Sequence, residues 1–312
     1  MRQSTLLLIG LGLAAFAPLK ISAQNFPPED PAIAEMSGNR PAAFDEEFKQ
    51  PSRIRDILSI DNSLSASYEL TRFGFGESSD NGSPAYIDTD NGYLRGAKDM
   101  LSLMRSFAGA RDLYAAISYQ YEQGRAGYSY DGSGLPLSYP ASRFGSPQQA
   151  STGESIYELA LRLGKGFEAG NAWMFTPYLT GGYRYWQRGM NDGASGGFGE
   201  SYRNGFLGGG EMVQCAPMDR VVLTADASAS AMIRPSMYSA PYFFYMQGGP
   251  MVDASAEIDY RFWRGLHVVA GFDYSHLSYR QSQVIAVGSA NYMEPESITN
   301  AASWSVGLRQ TF

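Results

Sequence analysis

From Ala302 to Phe312 the chain alternates: Ala302, Trp304, Val306, Leu308 and Phe312 share one parity, and Ser303, Ser305, Gly307, Arg309 and Thr311 the other. Successive side chains of an extended chain point to opposite faces, so this is a strand with one greasy and one wet side. The period recurs from 250 to 262, where Val252, Ala254, Ala256, Ile258, Tyr260 and Phe262 alternate with Asp253, Ser255, Glu257, Asp259 and Arg261. The inner face of a soluble sandwich strand has no use for five polar residues. A strand set between lipid and a polar lumen does.

Eight further strands are expected at 62–76, 92–105, 111–128, 154–165, 172–188, 199–213, 220–234 and 266–280. Lys98 and Asp99 make the second of these irregular, because neither parity keeps both out of lipid; a bulge or register change is expected there. Pro177 is tolerable only near a strand start or a bulge. Short connections near 106–111, 165–171, 214–219 and 263–266 alternate with long Gly/Ser/Pro/Asp-rich ones near 77–91, 129–153, 189–198, 235–249 and 281–297. That asymmetry separates periplasmic turns from extracellular loops. The expectation is an all-β, transmembrane, antiparallel up-and-down barrel of ten strands over 62–312 with both termini periplasmic, or eight strands if the Lys98 hairpin stays out.

Composition agrees where it bears on this. Gly (35), Tyr (21) and Phe (17) are abundant, only 18% of residues are charged, and there is one Cys. A disulfide framework is thereby excluded, and the net charge of −7 lacks the basic stripe that nucleic acid requires. Arg2, the apolar run Leu6–Ala17 and small residues at Ser22 and Ala23 form a signal peptide over 1–23. The run is too short to cross a bilayer as a helix. Residues 24–61 do not alternate and are acidic and Pro-containing; they form a periplasmic lead or a plug in the barrel mouth. Girdle aromatics are expected at Trp173, Phe175, Phe262, Trp263 and Phe312 on the short-turn side, and at Tyr183, Tyr185, Trp186, Tyr202 and Tyr279 on the loop side.

The terminal strand, with Trp304, Val306, Leu308 and Phe312 outward, resembles the C-terminal aromatic signal of bacterial outer-membrane proteins. The resemblance implies recognition by the barrel-assembly machinery; Gln310 stands where the family often has an aromatic. Such a barrel meets outer-membrane lipid and lipopolysaccharide, and its loops, especially 129–153, are candidates for a surface ligand.

Candidate lumen and selectivity residues are Arg184, Arg203, Asp226, Asp253, Glu257, Asp259 and Arg261. A barrel of eight strands is filled by its own side chains, whereas open channels need sixteen or more, so charges in a ten-stranded lumen either pair across it or line a narrow path. His276 and Ser278 share an outward face near the loop end, and a His can activate a neighbouring hydroxyl for attack on an ester. This His-x-Ser resembles the motif of outer-membrane lipid A 3-O-deacylases, which implies His276 as base, Ser278 as nucleophile and Glu294 or Glu296 as orienting acid; Tyr279 replaces the usual Asn. Omptin proteases require an Asp and His together on the lumenal rim; Asp88 and Asp90 form an acidic pair with no His nearby in sequence. Neither metal-ligand spacing nor a cofactor motif is present. The sequence therefore points to a structural, surface-binding or narrow-pore barrel, with a lipid A esterase as the alternative.

Overall fold

The computed structural model describes residues 52–78, 86–107, 110–130, 148–189, 199–287 and 290–312. The signal peptide expected over 1–23, the lead as far as residue 51 and most of the 129–153 loop lie outside them. Ten long strands form the wall: β1 (Ser63–Ser78), β2 (Tyr86–Phe107), β3 (Ala110–Tyr130), β4 (Gln148–Lys165), β6 (Trp173–Gly189), β7 (Gly199–Met218), β8 (Val221–Ser239), β9 (Tyr242–Trp263), β10 (Leu266–Ser282) and β13 (Glu296–Thr311). Three short strands, β5 (Phe167–Ala169), β11 (Ile285–Val287) and β12 (Ala290–Tyr292), complete the set. Each long strand pairs antiparallel with its neighbours, β4 with β6 and β1 with β13, so the sheet closes on itself. The expected ten-stranded up-and-down barrel is what forms.

Period two sorts the side chains as the sequence implies. Val252, Ile258, Tyr260, Phe262, Trp304, Val306, Leu308 and Phe312 are exposed on the outer surface, as is the short-turn girdle of Trp173, Phe175 and Trp263. Tyr68, Tyr121, Tyr157 and Tyr185 follow one another in ladder register around β1, β3, β4 and β6, with Ala97 of β2 between the first two. This is an interfacial tyrosine row.

Three expectations fail here. The register of β2 with β1 and β3 runs unbroken through Lys98 and Asp99. Lys98 turns inward to Asp273 at 3.0 Å, while Asp99 is exposed on the outer face opposite Tyr119. The connection at 235–249 is not a long loop: β8 and β9 continue as a hairpin, pairing Ser236–Ser239 with Tyr242–Tyr245 around Ala240 and Pro241. Trp186, Tyr202 and Tyr279 are not girdle residues but lie inside, each almost fully buried. Pro177 falls where the neighbouring wall passes from β4 to β5, so its missing N–H interrupts no ladder there.

Helix α1 (Ser52–Ile60) precedes β1. Ile54, Ile57 and Ile60, three residues apart and so on one face, are buried against Met104, Tyr114, Met174, Tyr178, Met212 and Val222 from the inner wall. Its C-terminal carbonyls are satisfied locally: Asn62 Nδ2 donates to Leu58 O at 2.7 Å and Ser63 Oγ to Ile60 O at 2.5 Å. Asp56 accepts from the Arg220 backbone N–H at 3.1 Å and pairs with Arg261 Nη1 at 2.8 Å. The end of the non-alternating segment is thus folded into the barrel at its short-turn end.

Candidate functional site

The lumen is the candidate site, because there the wall gathers charge that an apolar core would exclude. Just inside α1, Arg309 bridges Asp259 at 2.9 Å and Glu257 at 2.8 Å. His267 Nδ1 hydrogen-bonds Asp259 from the next strand, so His267 is a buried lumenal residue and not the interfacial one its place beside a turn suggests. Gln214 Nε2 donates to Asp61 Oδ1 at 2.8 Å. Asp61 lies in the turn between α1 and β1, where burial, only partly offset by the Gln214 hydrogen bond, pushes its carboxyl up to about 7.

At mid-height, Asp226 accepts from Arg162 at 3.1 Å and from the Tyr178 hydroxyl at 2.7 Å. Tyr178 reaches it by lying over Gly210, where a Cβ would stand 2.5 Å from its hydroxyl; the three glycines at 208–210 thus include a functional close approach. Arg184 pairs with Glu158 at 2.9 Å, and Asp253 accepts from Ser275 Oγ at 2.7 Å. The expected lumen residues Arg184, Asp226, Asp253, Glu257, Asp259 and Arg261 are thus each paired. Glu257 and Asp259 are held by Arg309, Asp253 by a serine, and Arg261 by the helix.

Arg203 is a correction. It points outward, exposed, with its guanidinium 5.4 Å from the Tyr185 ring centroid. The parity of β7 turns Tyr202 inward to stack on Trp186 at 4.6 Å, which leaves Arg203 on the outer face. Charge was a poorer guide there than alternation.

Toward the loop end the lumen narrows onto Arg188, whose side chain is fully buried. Its Nη2 donates to both oxygens of Asp88 at 2.8 and 2.9 Å, Nε to Asp90, and Nη1 to Glu200 at 2.8 Å; Glu77 lies 3.7 Å from Nη1. Phe75 packs under the guanidinium at 4.4 Å. Tyr202 donates to Glu294 at 2.7 Å and Trp186 Nε1 to Glu154 at 2.7 Å. Phe73, Leu94, Ile156, Met237 and Phe244 fill the space around them. Glu294, in the connector before β13, is pushed up to about 8, chiefly by burial and then by the nearby Glu200 charge. The sequence pairs Asp88 with Asp90 but does not show that Arg188 joins them; the signal was the shared inward parity of Asp88, Asp90 and Lys98.

His276 and Ser278 are both outward, but they do not form a dyad. His276 Nδ1 bonds Asn300 Oδ1 on β13 at 2.9 Å. The Ser278 hydroxyl lies against Gly249 on the opposite neighbour, β9, 2.0 Å from where a Cβ would stand. Glu294, proposed as orienting acid, is buried in the lumen with Tyr202, and Glu296 is exposed on the outer face, with Ile298 between it and Asn300 in outward order.

No protein-family model and no curated protein sequence matches the chain. Among solved structures, the outer membrane protease OmpT from Escherichia coli is similar at 9% identity and TM-score 0.52, covering 80% of this chain and 97% of that one. The translocator domain of the autotransporter NalP from Neisseria meningitidis follows at 12% identity and TM-score 0.40, covering 87% and 96%. A major outer membrane protein from Thermus thermophilus has 13% identity and TM-score 0.37, covering 79% and 99%. The likeness to OmpT is one of fold: this chain folds as a β-barrel of the bacterial outer-membrane type.

Proposed function

We propose that the chain is an exported outer-membrane barrel with both termini periplasmic, closed to solutes, non-enzymatic, and acting as a structural or surface-binding element of the envelope. The observation that carries this reading is that, among the described residues, α1 packs inside the lumen at one end and the buried Arg188 cluster spans it at the other. Between them the described residues leave cavities of about 100 and 80 Å³. At roughly 30 Å³ per water these hold a few solvent molecules each. Ion pairs line them, and a solute would have to break those pairs.

The outer surface supports the expected partners. Immediately loopward of the tyrosine row, Arg72, Arg95 and Arg125 stand exposed on three adjacent strands beside Tyr93 and Gln123. Guanidinium groups at that depth suit the phosphates of lipopolysaccharide. The outward Trp304, Val306, Leu308 and Phe312 fit the assembly-signal reading of the last strand. The test is planar-bilayer recording of the full-length refolded protein, with a silent membrane expected. Stable single-channel openings would overturn the closed-barrel reading and restore the narrow pore.

A further inference from the structure

Glu77 near the end of β1, Glu200 near the start of β7 and Glu294 before β13 bring a carboxylate oxygen each to within 4.8 Å of one another. All three are buried. The Tyr202 hydroxyl stands among them, 3.4 Å from Glu77, 3.3 Å from Glu200 and 2.7 Å from Glu294. A phenol has one proton and satisfies one acceptor at a time. Arg188 serves Glu200 but is also engaged with Asp88 and Asp90. Among the described residues, five carboxylates thus converge on one guanidinium and one hydroxyl.

A second observation is independent of the acidic residues. Ser297 lies directly opposite Glu77 in the β1–β13 ladder, on the same lumenal face, and is 1% exposed. Among the described residues its Oγ has no hydrogen-bond partner. Leaving a buried hydroxyl without a partner is unfavourable, and this one stands in the ladder position beside Glu77.

We propose that Glu77, Glu200 and Glu294, with Ser297 and the Tyr202 hydroxyl, bind a hard divalent cation of the calcium type. The donors are all oxygen, the set such an ion takes. Ca²⁺ takes six to eight oxygens in a flexible geometry, whereas Mg²⁺ demands a near-ideal octahedron and usually keeps several waters; a buried set of protein oxygens from three separate segments suits the former. The ion adds positive charge among the carboxylates and ties β1, β7 and the segment entering β13 into one cross-link. It is a structural site, with no open coordination position assigned to a substrate.

Terbium(III), a luminescent stand-in for Ca²⁺, tests this on the full-length protein refolded in detergent free of lipopolysaccharide. Tyr202 at the site sensitises bound Tb³⁺, so tyrosine-excited emission is expected, with Ca²⁺ competing and Mg²⁺ competing poorly. Glu294→Gln, nearly isosteric, is expected to weaken binding at least about tenfold, the lower bound set by losing even a supporting group at a metal site. Ser297→Ala, which spares every charge, is expected to weaken it less and serves if the Gln variant does not refold. No sensitised emission from the wild type, or emission of the same affinity in both variants, overturns the site.

Discussion

Arg188 on β6 and Asp88 on β2 are joined by two contacts of 2.8 and 2.9 Å although β3 and β4 separate their strands in the wall. The side chain spans the mouth and does not merely decorate it. Removing one partner of a buried ion pair leaves the other uncompensated, typically at about 3–5 kcal/mol. Arg188→Ala is expected to lower stability by at least that much, since it strands Asp90 and Glu200 as well. Heat-modifiability on gels, which follows barrel unfolding, reads the shift. Replacing Arg188 and Asp88 together should cost less than the sum of the single changes.

Conductance separates the two closures. Ile57, fully buried, holds α1 against the wall; Ile57→Ala removes apolar contact worth about 2–5 kcal/mol and loosens the helix. The variant is still expected to be silent in planar bilayers, because the Arg188 cluster remains in place. Only Ile57→Ala combined with Arg188→Ala is expected to show openings. Openings from the helix variant alone would mean that the loop end is not a barrier.

Asp61 gives a pH signature. Burial pushes its carboxyl up to about 7 in the folded chain, from an ordinary 3.8. The native state therefore holds a proton that the unfolded state releases, and stability falls as pH rises from about 4 to about 7 before levelling. Asp61→Asn, which cannot ionise, should flatten that part of the profile. Thermal midpoints of both proteins across the window decide it; parallel profiles would exclude Asp61 as the source.

Lipid A is the readout for the esterase alternative. His276 leans to Asn300 and Ser278 to Gly249, so lipid A mass spectra should be the same with wild type, with Ser278→Ala and without the protein. Loss of an acyl chain that depends on Ser278 would establish the enzyme.

The wall was legible because period two is a local property. Val252 through Phe262 and Ala302 through Phe312 declare their faces without reference to any other strand, and the short turns fix how those faces meet. The lumen was less so. Arg203 and Tyr202 are adjacent, and assigning the charged one inward ignored that Tyr202 can be buried when Trp186 stacks on it and Glu294 accepts its proton. The β8–β9 hairpin was read as a loop because Pro235, Pro241 and a glycine pair resemble loop chemistry, while their setting between paired strands is a tertiary fact. The Arg188 cluster draws residues from β1, β2, β6, β7 and the connector before β13. Parity says that each points inward, but only the closed circle says that they meet.

The seam between β1 and β13 has a consequence for how the molecule comes to exist. Its sixteen residue pairs join Ser63 with Thr311 and Ser78 with Glu296, and beyond them the Phe312 N–H donates to Asn62 O at 3.0 Å. These are contacts between opposite ends of the described chain, the kind whose loop-closure entropy makes a topology slow to form. Helix α1 leads directly into β1 and packs on residues of β2, β3, β6, β7 and β8, so the strand that opens the sheet is tied to the far wall of the barrel as well as to the strand that closes it.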